Sequence, residues 1–216
     1  MKIQLLSIAI IVFFASCTKD RLTADGNIIT EVRTTGTFKE LRSSGSNHIH
    51  VTYGPQFKVE VRGSANLVSR YKTKVYNNTL DLGYEFVNVR RDDIEVYITM
   101  PKISGVSLSG SGNVDLYGNF EDTDFFNLRI SGSATTRAHN TFNASHLVVN
   151  ISGSGDADLE KLTCRNAEVH ISGSGDTRLA CTERLDVHIS GSGKVYYSGN
   201  PFVESSINGS GKVIKN

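Results

Sequence analysis

Through the second half of the chain, apolar and polar positions alternate strictly. Leu147, Val149, Ile151, Gly153, Gly155, Ala157 and Leu159 share one parity. The next stretch repeats the rule with Ala167, Val169, Ile171, Gly173, Gly175, Thr177 and Leu179, and a third with Leu185, Val187, Ile189, Gly191, Gly193, Val195 and Tyr197. A period of two predicts strands with one buried face. Small residues occupy the middle of that face and large aliphatics its flanks. A coil that bends inward at its centre needs this arrangement, because glycine tolerates the bend and leaves room inside.

The alternation belongs to a repeat. The units are Leu108-SGSGNVDL, Ile130-SGSATTRA, Ile151-SGSGDADL, Ile171-SGSGDTRL, Ile189-SGSGKVYY and Ile207-NGSGKVIK, and their starts lie 22, 21, 20, 18 and 18 residues apart. The motif glycines are Gly110 and Gly112, Gly132, Gly153 and Gly155, Gly173 and Gly175, Gly191 and Gly193, and Gly209 and Gly211. A degenerate copy, Ser43-SGSNHIHV, keeps Ser44, Gly45 and Ser46. One such unit holds one long strand or two short ones and cannot cover its own apolar face. Stacking on the next copy, at about 4.8 Å per rung, buries that face and pairs its backbone groups. The prediction is an all-β chain, a β-helix-like solenoid of stacked 18–22-residue repeats over 106–216. A propeller blade of roughly 40 residues is too long for this period. Regular strand spacing leaves a β-sandwich of hairpins as the alternative.

Residues 36–105 read as a less regular β cap on the same single domain. Val59 and Val61, Leu80 and Leu82, and Ile94, Val96 and Ile98 alternate, with turns expected at Gly54-Pro55 and Asn77-Asn78. Residues 1–16 read as an export signal: Lys2, the apolar run Ile3 to Phe14, then Ala15-Ser16 before Cys17. The run is too short to remain as a spanning helix. Cys17 after small residues resembles a bacterial lipobox, with Phe14 where that pattern prefers Leu, and predicts a lipidated Cys and a polar tether over 17–35. Lipid would then hold the chain on a membrane of the cell envelope, at about 0.8 kcal/mol per buried methylene. A formal charge of +1 points to no nucleic-acid partner.

From Phe38 through Ser44-Gly45-Ser46, Val51, Val59-Glu60-Val61, Asn78-Thr79-Leu80, the strand Ile94–Met100 and the SGSG array, the chain resembles the "putative auto-transporter adhesin, head GIN domain" family of exported, often lipid-anchored proteins of Bacteroidetes-type bacteria. The resemblance implies a β-helix-like fold and an envelope location, and carries over no catalytic residue and no cofactor.

Aligning the repeats predicts the outer-face columns. One reads Asn113, Thr135, Asp156, Asp176, Lys194, Lys212; two positions on, another reads Asp115, Arg137, Asp158, Arg178, Tyr196, Ile214. Asp156, Asp158 and Asp176 are the candidate ligands for a hard cation such as Ca²⁺. Three acids beside arginines make a poor cage, which favours a solvated face. His170 and His188 would meet on adjacent rungs, in reach of one transition metal but with no third ligand; stacked outer-face rings fit better. His48 and His50 share a strand face and show no partner on a neighbouring strand. Cys164 and Cys181 fall at near-equivalent places on neighbouring rungs, and the rung spacing suits a disulfide's Cα separation of roughly 4.4 to 6.8 Å.

Catalytic motifs fail. Gly191-Ser-Gly-Lys194 and Gly209-Ser-Gly-Lys212 lack the gap and following hydroxyl of a phosphate loop, and no nucleophile elbow occurs. A polysaccharide lyase on a β-helix needs a carboxylate cluster and a sugar groove; the absence of Trp weighs against one, although Tyr84 and Tyr196 are available. The sequence points to a non-catalytic binding or structural module with a protein or glycan ligand, and to self-association by strand addition near Val213–Asn216. A periplasmic assembly or stress component is the alternative.

Overall fold

A computed structural model describes residues 21–85 and 87–216. The expected signal sequence, Cys17 and the start of the expected tether lie outside them. The elements in chain order are β1 (Arg21–Thr23), β2 (Ile28–Arg33), β3 (Glu40–Gly45), β4 (His48–Tyr53), β5 (Lys58–Ser64), a single helical turn α1 (Ala65–Val68), β6 (Lys72–Tyr76), β7 (Thr79–Gly83), β8 (Asn88–Arg90) and β9 (Glu95–Met100). The repeats follow as β10 (Gly105–Gly110), β11 (Asn113–Tyr117), β12 (Thr123–Gly132), β13 (Thr135–Ala138), β14 (Phe142–Gly153), β15 (Asp156–Gly173), β16 (Thr177–Gly191), β17 (Lys194–Ser198), β18 (Phe202–Gly209) and β19 (Lys212–Lys215). No helix among the described residues is long and apolar enough to cross a membrane.

Every pairing between successive repeats is parallel, and in register through the SGSG motif, which decides for the solenoid over a sandwich of hairpins. Ile130 pairs with Ile151, Ile151 with Ile171, Ile171 with Ile189 and Ile189 with Ile207. About five turns of this kind form the regular stack. A parallel ladder puts like residue over like, so Val149, Val169 and Val187 make one interior column and Ile130, Ile151, Ile171 and Ile189 the next, each almost fully buried. The shortening of the repeat from 20 to 18 residues has a visible location. Four steps from Leu159 to Thr163 oppose one step from Leu179 to Ala180, and two steps from Cys164 to Asn166 oppose three from Cys181 to Arg184, a net loss of two.

The two motif glycines serve different ends. The first takes positive φ in every copy, from +122° to +135° between Gly110 and Gly209, and turns the wall at the corner. The second, as at Gly175, is buried with ordinary φ; it lets its backbone approach the rung below, where a Cβ would sit 2.0 Å from the Gly155 carbonyl oxygen.

The N-terminal third differs from expectation in two ways. The degenerate copy is a full rung: Ser43-Ser44-Gly45 pairs with Leu108-Ser109-Gly110, and β4 with β11, and the parallel ladder continues beyond it, with β7 on β3 and β9 on β4. The irregular cap is β5 to β9, closed by antiparallel pairs β5–β9 and β6–β7; the latter turns through Asn77 and Asn78, both at positive φ, as an Asn-rich hairpin turn requires. The segment 17–35 is also not all tether. β1 pairs with β8, and β2 lies antiparallel on β5. Its polar composition hid β2 because the strand is an edge exposed on both faces, and no half-buried alternation can appear there.

Candidate functional site

Beside the glycine corner runs an open trough of about 750 Å³, within the size range of ligand sites. Its walls are two outward ladders. The residue before the Leu or Ile that opens each repeat gives Ser107, Arg129, Asn150, His170, His188 and Ser206; the residue after gives Ser109, Ser131, Ser152, Ser172, Ser190 and Asn208. All of these aliphatics are buried except Ile207 on the last rung, 41% exposed. Both follow from parity, since these positions flank an inward aliphatic. Each ladder repeats at the rung spacing of about 4.8 Å and extends roughly 24 Å along the axis. His170 and His188 stack, with ring centroids 4.9 Å apart and planes 9° from parallel. The His170 Nε2 lies 2.6 Å from Glu168 Oε1. No Asp or Glu side chain lines the trough, so the carboxylate pair that a lyase needs is not assembled there.

The aspartates proposed as cation ligands are engaged otherwise. Asp156 Oδ1 accepts the Asp176 backbone N–H at 2.9 Å, and Asp176 Oδ1 accepts that of Lys194 at 2.9 Å. Asp158 lies 3.6 Å from Arg137. These carboxylates cap the next rung's backbone and face arginine. Among the described residues, no three His, Cys, Asp or Glu side chains converge for a metal.

Cys164 and Cys181 do pair directly in register, yet both are buried free thiols. In-register parallel residues carry parallel Cα–Cβ bonds, so their Cβ atoms stay near the rung spacing of about 4.8 Å, outside the roughly 3.5–4.5 Å a disulfide uses. The thiols hydrogen-bond one another and also reach carbonyls, Cys164 that of Ala180 at 3.3 Å and Cys181 that of Arg184 at 3.1 Å. The hydrogen bond shared with Cys181, and then burial, push the Cys164 thiol up. The native protein should release neither thiol to a disulfide reagent, and both after denaturation; loss of two hydrogens in the intact mass would contradict this.

A second cluster was hidden from sequence reading. His48 and His50 do have a partner, Asp115 on the next rung, 67 residues from His48. Its carboxylate lies 2.5 Å from His48 Nε2 and 2.6 Å from His139 Nε2, with Arg137 at 3.8 Å. Its side chain is 9% exposed. Burial works to raise its pKa, but hydrogen bonds from His139 and His48 outweigh it and hold the carboxyl below the usual range. Burial, and then the neighbouring His48, lower His50. Tyr97 stacks on His50 at 4.8 Å and Tyr117 on His139 at 4.4 Å, an aromatic ladder beside the buried ion. The only sequence signal was the shared column of His50, Asp115 and Arg137, legible once the Ser43 copy is counted as a rung.

The fold and trough define a parallel β-solenoid with a polar ladder surface. The chain belongs to the family described as "Putative auto-transporter adhesin, head GIN domain", whose model matches residues 37–201. In fold it is similar to a solved "putative adhesin" from Bacteroides fragilis (20% identity, 90% of this chain and 100% of that one, TM-score 0.75). It also resembles a "putative lipid binding protein" from Parabacteroides distasonis (19% identity, 91% and 100%, TM-score 0.60) and a "putative adhesin" from Parabacteroides merdae (15% identity, 91% and 99%, TM-score 0.55). No curated protein matches significantly.

Proposed function

We propose that this chain is an exported, Cys17-lipidated, non-catalytic adhesion module of the bacterial cell envelope that binds a linear glycan along the trough. The observation that carries the reading is the pair of in-register hydroxyl, amide and imidazole ladders walling a carboxylate-free trough. A linear polymer repeating near the rung spacing meets the same donors and acceptors on every rung, so weak contacts add along its length. His170 and His188, stacked on each other, add imidazole groups to two successive rungs of the trough wall. The adhesin names of structurally similar proteins agree with this use, and the apolar run before Ala15-Ser16-Cys17 supplies the route to the envelope.

Ser152 stands mid-trough and points outward, so Ser152→Trp fills the trough without touching the core. Retention on insoluble polysaccharides should fall about tenfold or more, as for loss of a central contact, with the melting temperature unchanged. Protease shaving of intact cells, with Cys17→Ala as the unanchored control, should remove the wild type from the surface. A protein that stays membrane-bound but sheltered, and retains no polysaccharide, belongs instead to a periplasmic assembly role.

A further inference from the structure

The strand ladder fixes which end of the molecule the lipid holds. Along one wall the order is β2-β5-β9-β4-β11-β13-β15-β16-β17-β19. β2 is therefore one extreme of the solenoid and β19 the other, roughly 40 Å apart at the usual strand spacing. The first described strand, β1, begins four residues after Cys17. Four residues reach at most about 14 Å, so a lipidated Cys17 holds the β2 end against the membrane and leaves the β19 end distal.

That proximal end carries apolar surface that no described residue covers. On β2, Ile28 is 48% exposed, Ile29 37% and Val32 61%, and Tyr76 on the edge strand β6 is 65% exposed. Among the described residues β2 pairs only with β5, and β6 only with β7. Around these sit exposed Arg21, Lys74, Arg90 and Arg91, none in an ion pair among the described residues. Ala24 is hydrogen-bonded to the Arg90 carbonyl, which keeps this basic group beside the entry of the chain. Aliphatic side chains, a tyrosine and unpaired cations at one end match the chemistry of a headgroup layer.

We propose that the β2 edge, through Ile28, Ile29 and Val32, lies in the headgroup region of the membrane that carries Cys17, so that the solenoid stands on its cap and projects its trough outward. This rests on the lipid anchor of the proposed function and adds a direct protein–bilayer contact.

The chain contains no tryptophan, so one introduced Trp reports without background. Full-length lipidated Val32→Trp and Phe202→Trp are reconstituted in phosphatidylethanolamine vesicles containing a minor fraction of phosphatidylglycerol. Phe202, 65% exposed on β18, marks the distal end. Val32→Trp should emit at shorter wavelength and be quenched by brominated phospholipid several-fold more than Phe202→Trp, and iodide should quench only the latter well. Equal access of iodide to both overturns the contact while leaving the anchor standing. Shielding of Val32→Trp that grows with protein-to-lipid ratio assigns the edge to a second copy and also overturns it. An N-terminal peptide without acyl chains, with no flotation on vesicles, removes the anchor and the contact together.

Discussion

Replacing Gly173 by alanine is expected to destabilise the protein by about 3 kcal/mol or more, a loss of roughly 6–12 °C in melting temperature for a chain of this size. Two causes act at once. Gly173 has φ +134°, a conformation that L side chains rarely adopt, and a Cβ there would lie 2.1 Å from the Gly153 carbonyl oxygen. The clash is with backbone, and that carbonyl already accepts the Ser174 N–H at 2.9 Å, so it cannot turn aside without breaking the rung. Neighbouring rungs share the geometry, so strain at one corner is passed to the next. Ser172→Ala, one residue earlier and facing solvent, should be nearly neutral. The contrast with the second glycine column sharpens the test. There φ is ordinary and one copy already carries Ala134, although a Cβ at Gly155 would still meet the Ala134 carbonyl oxygen at 2.4 Å; with one cause acting instead of two, Gly155→Ala should cost less than Gly173→Ala. Equal costs, read by thermal or denaturant melting, would sink the division of roles between the two glycines.

Asp115→Ala is the second large effect, with an expected cost of about 3 kcal/mol at neutral pH. Removing this carboxylate takes the acceptor from two imidazole N–H donors and leaves Arg137 only its 3.6 Å pairing to Asp158. Charge-assisted hydrogen bonds contribute roughly 1.5–3 kcal/mol, and breaking a buried pair from one side costs more than the pair itself contributed. Asp115→Asn keeps one acceptor and should cost about half as much. The pH dependence gives an independent check. The folded pKa of Asp115 is depressed, so its stabilisation is complete above the ordinary carboxylate value of 3.8 and is lost as pH falls through the lower folded value. His50 is also depressed, so its neutral form is favoured; that contribution is present above 6.5 and declines as pH falls below it toward the folded value. Stability of the wild type should therefore fall in two acid steps, and Asp115→Asn should remove the lower one. A variant that keeps both steps would show that other carboxylates govern acid unfolding.

In the proposed arrangement, a lipid-proximal edge and a glycan-binding trough would give the molecule a direction. The β2 end would be held by anchor and side chains, with the trough running away from it along the rungs. Such an arrangement needs no moving part: the parallel ladder is the spacer, and its length is set by the number of repeats.

Much of this was legible in the sequence. Period-two parity assigned Val149, Ile151, Val169 and Ile171 inward and Ser152, Ser172, His170 and His188 outward, because the side a strand residue faces is a local property of the backbone. Repeat spacing gave the rungs and their columns, since identical units stack in register when the ladder is parallel. Tertiary structure alone decided the rest. Parallel pairing over hairpins depends on which strands meet, and parity is the same in both. The antiparallel β5–β9 cap separates β4 from β11 by tens of residues, so nothing local announces that Asp115 completes the His48 site. The cysteines match in register, but whether their Cβ atoms approach is set by the parallel geometry of the wall. β2 gives no periodic signal because neither of its faces is buried; its place at the end of the ladder follows only from the closing of the cap.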